Sequence, residues 1–162
     1  MADLIHLKLT GIKGESTSAQ HRDEIALEGW NWGVSTSLPM GGTAGGAAAA
    51  RPVFSPFSWT HRVDIASPLL WKACATGQHI AEAQLSIARP LTTAGDYLTL
   101  RMTDVLVTSV GLTDVSSDTQ PPLESVAMSF TTFEYSYRPQ LANGSFGPAV
   151  TFKYDIRQNR VL

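Results

Sequence analysis

Apolar residues alternate with polar ones along most of this chain, the period-two signature of β-strands with one buried face. Ile5, Leu7 and Leu9 share one phase of a first strand, Leu4 to Thr10, opposite His6, Lys8 and Thr10. A second strand is expected from about Arg22 to Leu38, with a change of phase inside it. Ile25 and Leu27 hold one phase, and Trp30, Trp32 and Val34 the other. Either a β-bulge at Gly29 returns all five to one face, or the strand is buried on both faces. A third strand runs from Phe57 to Val63, a fourth from Ile80 to Arg89, and a fifth from Asp96 to Gly111. The fifth alternates through Leu98, Leu100, Met102 and Leu106, with Asp104 interrupting, and would reach about 50 Å at the usual rise per residue. A sixth strand changes phase between Val126, Met128, Phe130 and Phe133, Tyr135, Tyr137. A seventh carries Val150, Phe152, Tyr154 and Ile156.

Residues 67–76 alone read as a helix. Ser67 suits the N-cap, Pro68 the first helical position, and Gly77 the left-handed residue that ends the last turn. Leu70 with Cys74, and Leu69 with Ala73, form its expected apolar stripe. The fold class is therefore mainly β: a β-barrel of two antiparallel sheets with one flanking α-helix, residues 67–76, and a long extended loop, residues 39–56. Two long strands with flipped phases are more than a small closed barrel needs: they read as bent strands, or as strands whose outer face another subunit covers, and the surplus apolar surface favours self-assembly.

At 162 residues the chain is expected to form a single domain, residues 1–162. The formal net charge is −2 and there is no basic stripe, so nucleic acid is not an expected partner. The longest uncharged run, residues 29–50, is mostly Gly, Ala, Ser and Thr, too weakly apolar for membrane insertion. Met1-Ala2-Asp3-Leu4 leads straight into strand pattern, with no basic and apolar leader, so a cleaved secretory signal is not expected. Cys74 is the single cysteine, which excludes an internal disulfide.

No catalytic apparatus is evident, and neither a cofactor nor a metal is expected. Cys74 reads as a small buried hydrophobe. His6, His21, His61 and His79 lack the three-to-five-residue spacing of metal ligands. Glu24 and Glu28 would share a strand face, and a solvated or interface face accounts for them. The run Gly11-Ile12-Lys13-Gly14 lacks phosphate-loop spacing, and Asn143-Gly144 reads as a turn. Trp30 and Trp32 read as core or interface anchors more readily than as a ligand platform.

Several motifs together carry a family resemblance: Lys13-Gly14-Glu15-Ser16, His21 with Asp23-Glu24-Ile25, Trp30-Asn31-Trp32-Gly33, Ser67-Pro68-Leu69-Leu70 into Lys72-Ala73-Cys74-Ala75-Thr76-Gly77 and His79, and Ile156-Arg157-Gln158-Asn159. In this order the chain resembles the Hcp (hemolysin-coregulated protein) family, the tube proteins of type VI secretion systems. The resemblance implies a non-enzymatic structural subunit that forms homo-hexameric rings. The rings stack into a hollow tube that carries effector proteins and works with a contractile sheath and a spike protein. It also implies a cytoplasmic protein before assembly that is then exported without a signal peptide. Asn31 would face the lumen and contact cargo. Ring or stacking contacts would fall to Trp30, Trp32, Gly42, Gly45, Arg51, Phe54, Arg157, Gln158 and Asn159. Trp71 departs from the family's smaller apolar residues, and the Gly/Ala loop is this chain's own. The alternatives are a monomeric β-barrel module that binds a glycan or peptide through exposed Trp30 and Trp32, and a phage tail tube-like protein.

Overall fold

The computed structural model describes residues 4–37, 51–90, 95–114 and 119–162. The element order is β1 (Leu4–Leu9), β2 (Ile25–Ala26), β3 (Gly29–Asn31), β4 (Val34–Ser35), β5 (Val53–Phe54), β6 (Phe57–Arg62), α1 (Ser67–Thr76), β7 (His79–Ala88), β8 (Asp96–Thr113), β9 (Leu123–Ser129), β10 (Thr132–Tyr137), β11 (Val150–Asp155) and β12 (Arg160–Val161). Among the described residues, ten strands form one connected antiparallel sheet and β4 pairs only with β5. The mainly-β architecture with one helix is as expected. The extended loop falls largely on residues 38–50, outside the described residues, and its return limb supplies β5.

Strand β8 joins two layers. Its first half pairs with β10, from Tyr137↔Leu98 to Thr132↔Thr103, and its second half pairs with β9 from Leu106↔Ser129 onward. The handover falls at Asp104, whose φ of +55° is left-handed. That twist changes the strand's phase: Leu100 and Met102 are buried before it, Val105 and Val107 after it. Leu106, expected to be in phase with Met102, is therefore only half-buried. The expected sixth strand is two strands, β9 and β10, and its change of phase is the connection at Phe130 and Thr131.

The expected second strand is likewise three short ones. Leu27 N–H donates to the Ile5 carbonyl and Glu28 N–H to the Thr60 carbonyl, both at 2.9 Å, so the chain leaves β1 and joins β6 between adjacent residues. Glu28 and Gly29 both face away from the core, which returns Trp30 and Trp32 to the side of Ile25 and Leu27. The one-face alternative holds for these four, and a change of partner strand produces it, whereas Val34 lies in β4, off the main sheet, and is exposed. The circuit β1, β7, β8, β9, β6, β3 thus returns to β1 through the covalent continuity of residues 25–31.

Helix α1 covers one end of this core. Gly77 adopts the expected left-handed φ of +66° and closes the helix by donating to the Ala73 carbonyl. Ser67 is not the N-cap, because Ala66 occupies that position without a side-chain bond. Instead Asp64 Oδ1 accepts the Ala66 N–H at 2.9 Å, and Ser67 Oγ accepts the Asp64 N–H at 3.1 Å. An aspartate ahead of the helix thus ties up one backbone donor at its start, as a cap does. The buried face is Ser67, Leu70 and Ala73, with Cys74 half-buried, whereas Leu69 is exposed.

The histidines are not isolated. His6 and His21 stack with centroids 4.7 Å apart. His21 Nδ1 lies 2.9 Å from Glu24 and its Nε2 2.9 Å from Asp96. Glu28 turns elsewhere, to Arg62 Nε at 2.8 Å, so the two glutamates serve different partners. Gly14 packs so closely on this loop that a Cβ there would stand 2.5 Å from the Glu24 carbonyl oxygen. Gly144, with φ +85°, makes the expected turn.

Candidate functional site

Strands β3, β6, β9 and the second half of β8 form a four-strand wall. Its inner row is Trp30↔Trp59↔Val126↔Val110, packed on the core. By alternation, the outer face carries Asn31↔Ser58↔Ala127↔Ser109 and Gly29↔Thr60↔Ser125↔Gly111. None of these eight outer residues is charged or large. All of them but Gly111 line a shallow depression of about 380 Å³ in which Asn31 is exposed. Asn31 therefore points opposite to Trp30, as the strand phase requires. Both edges of the wall are open: β3 pairs only with β6, and β8 beyond Leu106 pairs only with β9, among the described residues.

A second feature lies where the inner faces of β8, β10 and β11 run past the end of the core. Phe133 and Tyr154 are buried, while Tyr135 and Phe152 one step along are 39% and 44% exposed. The short β4–β5 ladder faces them with Val34 and Phe54. Together they enclose an aromatic groove of about 460 Å³ in which every lining residue is uncharged. Trp32 is half-buried there, its ring 4.8 Å from Phe133 and 5.9 Å from Phe54, and its indole N–H has no hydrogen-bond partner among the described residues. Trp30 stacks on Phe57 at 5.9 Å. Neither indole stands free as a flat platform, contrary to what the monomeric binding module requires.

The remaining expected interface residues meet at one corner. Arg51 donates to the carbonyls of Ile156, at 3.1 Å, and Arg157, at 3.5 Å. Gln158 N–H donates to Asp155 Oδ1 at 2.7 Å, and the Tyr154 hydroxyl donates to Asn159, which adopts a left-handed φ of +53°. The guanidinium of Arg51 thus pins the start of β5 to the turn between β11 and β12. Gly42 and Gly45 lie outside the described residues.

Sequence pattern did not reveal a buried polar chain at the helix end of the core. His61 and Glu124 are both free of solvent contact, and Trp59 and Trp71 donate into them. The one available signal was that His61 and Glu124 stand in phase with the apolar residues of β6 and β9. Among the described residues no cluster of three or more His, Cys, Asp or Glu is arranged to hold a metal ion. No helix among them is long and apolar enough to cross a membrane.

The architecture is that of a type VI secretion protein. A solved structure described as a type six secretion system protein superposes with a TM-score of 0.93 over 99% of this chain and all of its own, at 23% identity, a likeness of fold. The crystal structure of Hcp1 from Salmonella typhimurium matches with a TM-score of 0.79 at 29% identity, covering both chains completely. A family model described as "Type VI secretion system effector, Hcp" matches residues 6–137. Protein hcp1 of Pseudomonas aeruginosa is 34% identical over 165 residues, 98% of each chain. The chain belongs to the Hcp family. It is a structural, secreted component of type VI secretion, not an enzyme.

Proposed function

We propose that this chain is the tube subunit, closing into homo-hexameric rings that stack around a lumen. The observation that carries the reading is the four-strand wall, which has one face in the core, a small neutral outer face and two open edges. An open edge is a template for another strand, and a wall with one at each side joins head to tail into a closed ring. The outer face, with Asn31 at its centre, then lines the lumen. Uncharged hydroxyl, amide and methyl groups there would hold effector proteins without an electrostatic grip. Subunits assemble in the cytoplasm and leave with the tube without a signal peptide, driven by a contractile sheath behind a spike protein.

The aromatic groove with Trp30, Trp32 and Phe54 supplies apolar contact area for neighbouring subunits. The corner of Arg51 with Arg157, Gln158 and Asn159 supplies a polar one, and Gly42 and Gly45 belong to the loop that reaches the adjacent ring. Light scattering on the purified protein, followed by negative-stain microscopy, tests the reading. The expected result is a mass six times that of the chain and ring-shaped particles. A monomer at all accessible concentrations would overturn it.

A further inference from the structure

We infer that His61 is a proton-operated switch, exchanging a bond to the wall for ion pairs to the groups that hold helix α1. The inference does not depend on assembly, because all its parts lie within one subunit.

His61 projects inward from β6 with no solvent contact. Its Nδ1 lies 3.0 Å from the indole nitrogen of Trp59. An indole N–H only donates, so Nδ1 must offer its lone pair, and the ring's proton sits on Nε2. Nε2 faces two carboxylates: Glu124 Oε1 at 3.1 Å, an ion-pair distance off the line of the N–H bond, and Asp64 Oδ1 at 3.8 Å. Both acids fasten α1. Glu124 Oε2 accepts the Trp71 indole N–H at 2.8 Å, and Asp64 Oδ1 accepts the Ala66 N–H at the helix start. The groups acting on the imidazole are therefore Trp59 from its own strand, Glu124 from β9, Asp64 from the turn into α1, and at longer range Glu28 from between β2 and β3. Glu15 adds to the field at Asp64, and α1 itself brings Trp71 and Ser67, neither of which titrates near neutrality.

Adding one proton to His61 can only place it on Nδ1, where it confronts the Trp59 N–H, donor against donor. That bond breaks. The imidazolium then carries a full charge toward Glu124 and Asp64 and tightens both. Protonation thus frees an indole in the four-strand wall and strengthens the hold on the helix. Burial keeps the proton off His61 until the pH is below the ordinary histidine range, with Asp64 and Glu124 partly opposing that effect.

Long-range proton–nitrogen spectra of the histidine-labelled full chain test the switch, with the Trp59 indole N–H followed in the same titration from neutral to mildly acidic pH. The expected result is the Nε2–H tautomer at neutral pH and a Trp59 resonance that moves with the His61 midpoint. Trp59→Phe frees Nδ1 and should raise the proton affinity of His61 roughly three- to tenfold. Glu124→Gln removes the facing charge and should lower it. An Nδ1–H tautomer, a Trp59 resonance that ignores the titration, or an unchanged midpoint in Trp59→Phe would overturn the inference. Should Glu124→Gln fail to fold, the wild-type tautomer and Trp59→Phe decide it.

Discussion

Trp71 donates its indole N–H to Oε2 of Glu124 at 2.8 Å, so a helix side chain that is 44% exposed supplies a hydrogen bond to a carboxylate with no solvent contact at all. Trp71 is thus the partner of a buried acid. Leaving a buried charged acceptor short of its donor costs more than the net worth of one hydrogen bond. Trp71→Phe keeps most of the ring's packing and removes only the N–H. It should lower unfolding free energy by about 1–3 kcal/mol, read from the urea midpoint with an unchanged slope. Replacing Leu69, exposed on the same helix, by Ala should cost far less, within about 0.5 kcal/mol.

Gly14 marks a place where the loop ahead of β2 leaves no room for a side chain. A Cβ would meet the carbonyl oxygen, the carbonyl carbon and the next Cα of residues 24 and 25 at 2.5 to 2.8 Å, all backbone atoms that cannot swing aside. The same loop carries His21, which bridges Glu24 and Asp96. Gly14→Ala should therefore destabilise by about 1–3 kcal/mol, as overpacking does. Gly33→Ala, where a Cβ meets nothing within 4 Å, serves as the control and should leave the denaturation midpoint close to wild type.

The alternation in the sequence was enough to place most of the strand segments, because most bury one face, and the Pro68 and Gly77 signals placed the helix. What alternation could not show is where a strand changes partners. At Leu27–Glu28 the switch from β1 to β6 costs one residue of phase, and at Asp104 a left-handed residue does the same. From sequence, each looks like a strand with two apolar faces. The expectation of surplus apolar surface was thus partly an effect of these kinks, since Trp30, Trp32 and Phe133 pack on the core. Tyr135, Tyr137, Val150 and Phe152, all exposed on β10 and β11, belong to the surplus that remains. Of the candidate site, the opposition of Asn31 to Trp30 was legible. The wall's neutral outer face was not, because it is assembled from four strands far apart in sequence.

Asp104 should tolerate glycine and reject β-branched residues. A left-handed φ of +55° costs an L-residue about 1–2 kcal/mol, least for Asp and Asn. Asp104→Gly removes the strain and forfeits the 2.9 Å contact with His79, which is exposed and of small worth. The expected result is a melting temperature equal to or slightly above wild type. Asp104→Val should lower stability by about 1–2 kcal/mol or more, read by calorimetry.

Acid should weaken the fold from the histidine range downward. Burial lowers the proton affinity of both His6 and His61, with the neighbouring His21 adding to the effect at His6. The unfolded chain then takes up these protons first, near 6.5, and the folded chain only at lower pH. The stability that the two neutral rings contribute is complete above that value and is lost as pH falls through their folded values. Burial raises Asp64 above its ordinary 3.8, so its contribution runs the other way, and folding recovers some stability as Asp64 takes up its proton. His6→Phe keeps a flat ring against His21 and removes one of the two histidine contributions. The drop in melting temperature between neutral and mildly acidic buffer should shrink in this variant, and an unchanged drop would refute the assignment.

Assembly should fail in variants that leave the monomer intact. Tyr135 and Phe152 line the aromatic groove yet are each more than a third exposed, so charging either should cost the isolated subunit within about 0.5 kcal/mol. In a ring the same charge would be buried against an apolar neighbour without a partner, which costs several kilocalories per mole at every joint. Because no described residue lining the groove is charged, none of them can neutralise a glutamate placed there. Tyr135→Glu and Phe152→Glu should each shift the mass in solution from hexamer to monomer at micromolar concentration, with wild-type unfolding midpoints. Asn31→Asp, on the opposite face of the wall, should leave the hexamer's mass unchanged while adding one negative charge per subunit to the lumen. Binding of cationic effector proteins would then become salt-sensitive. Hexamers persisting in both groove variants would remove the groove from the ring contact and leave the open edges of β3 and β8 as the surfaces that join the subunits.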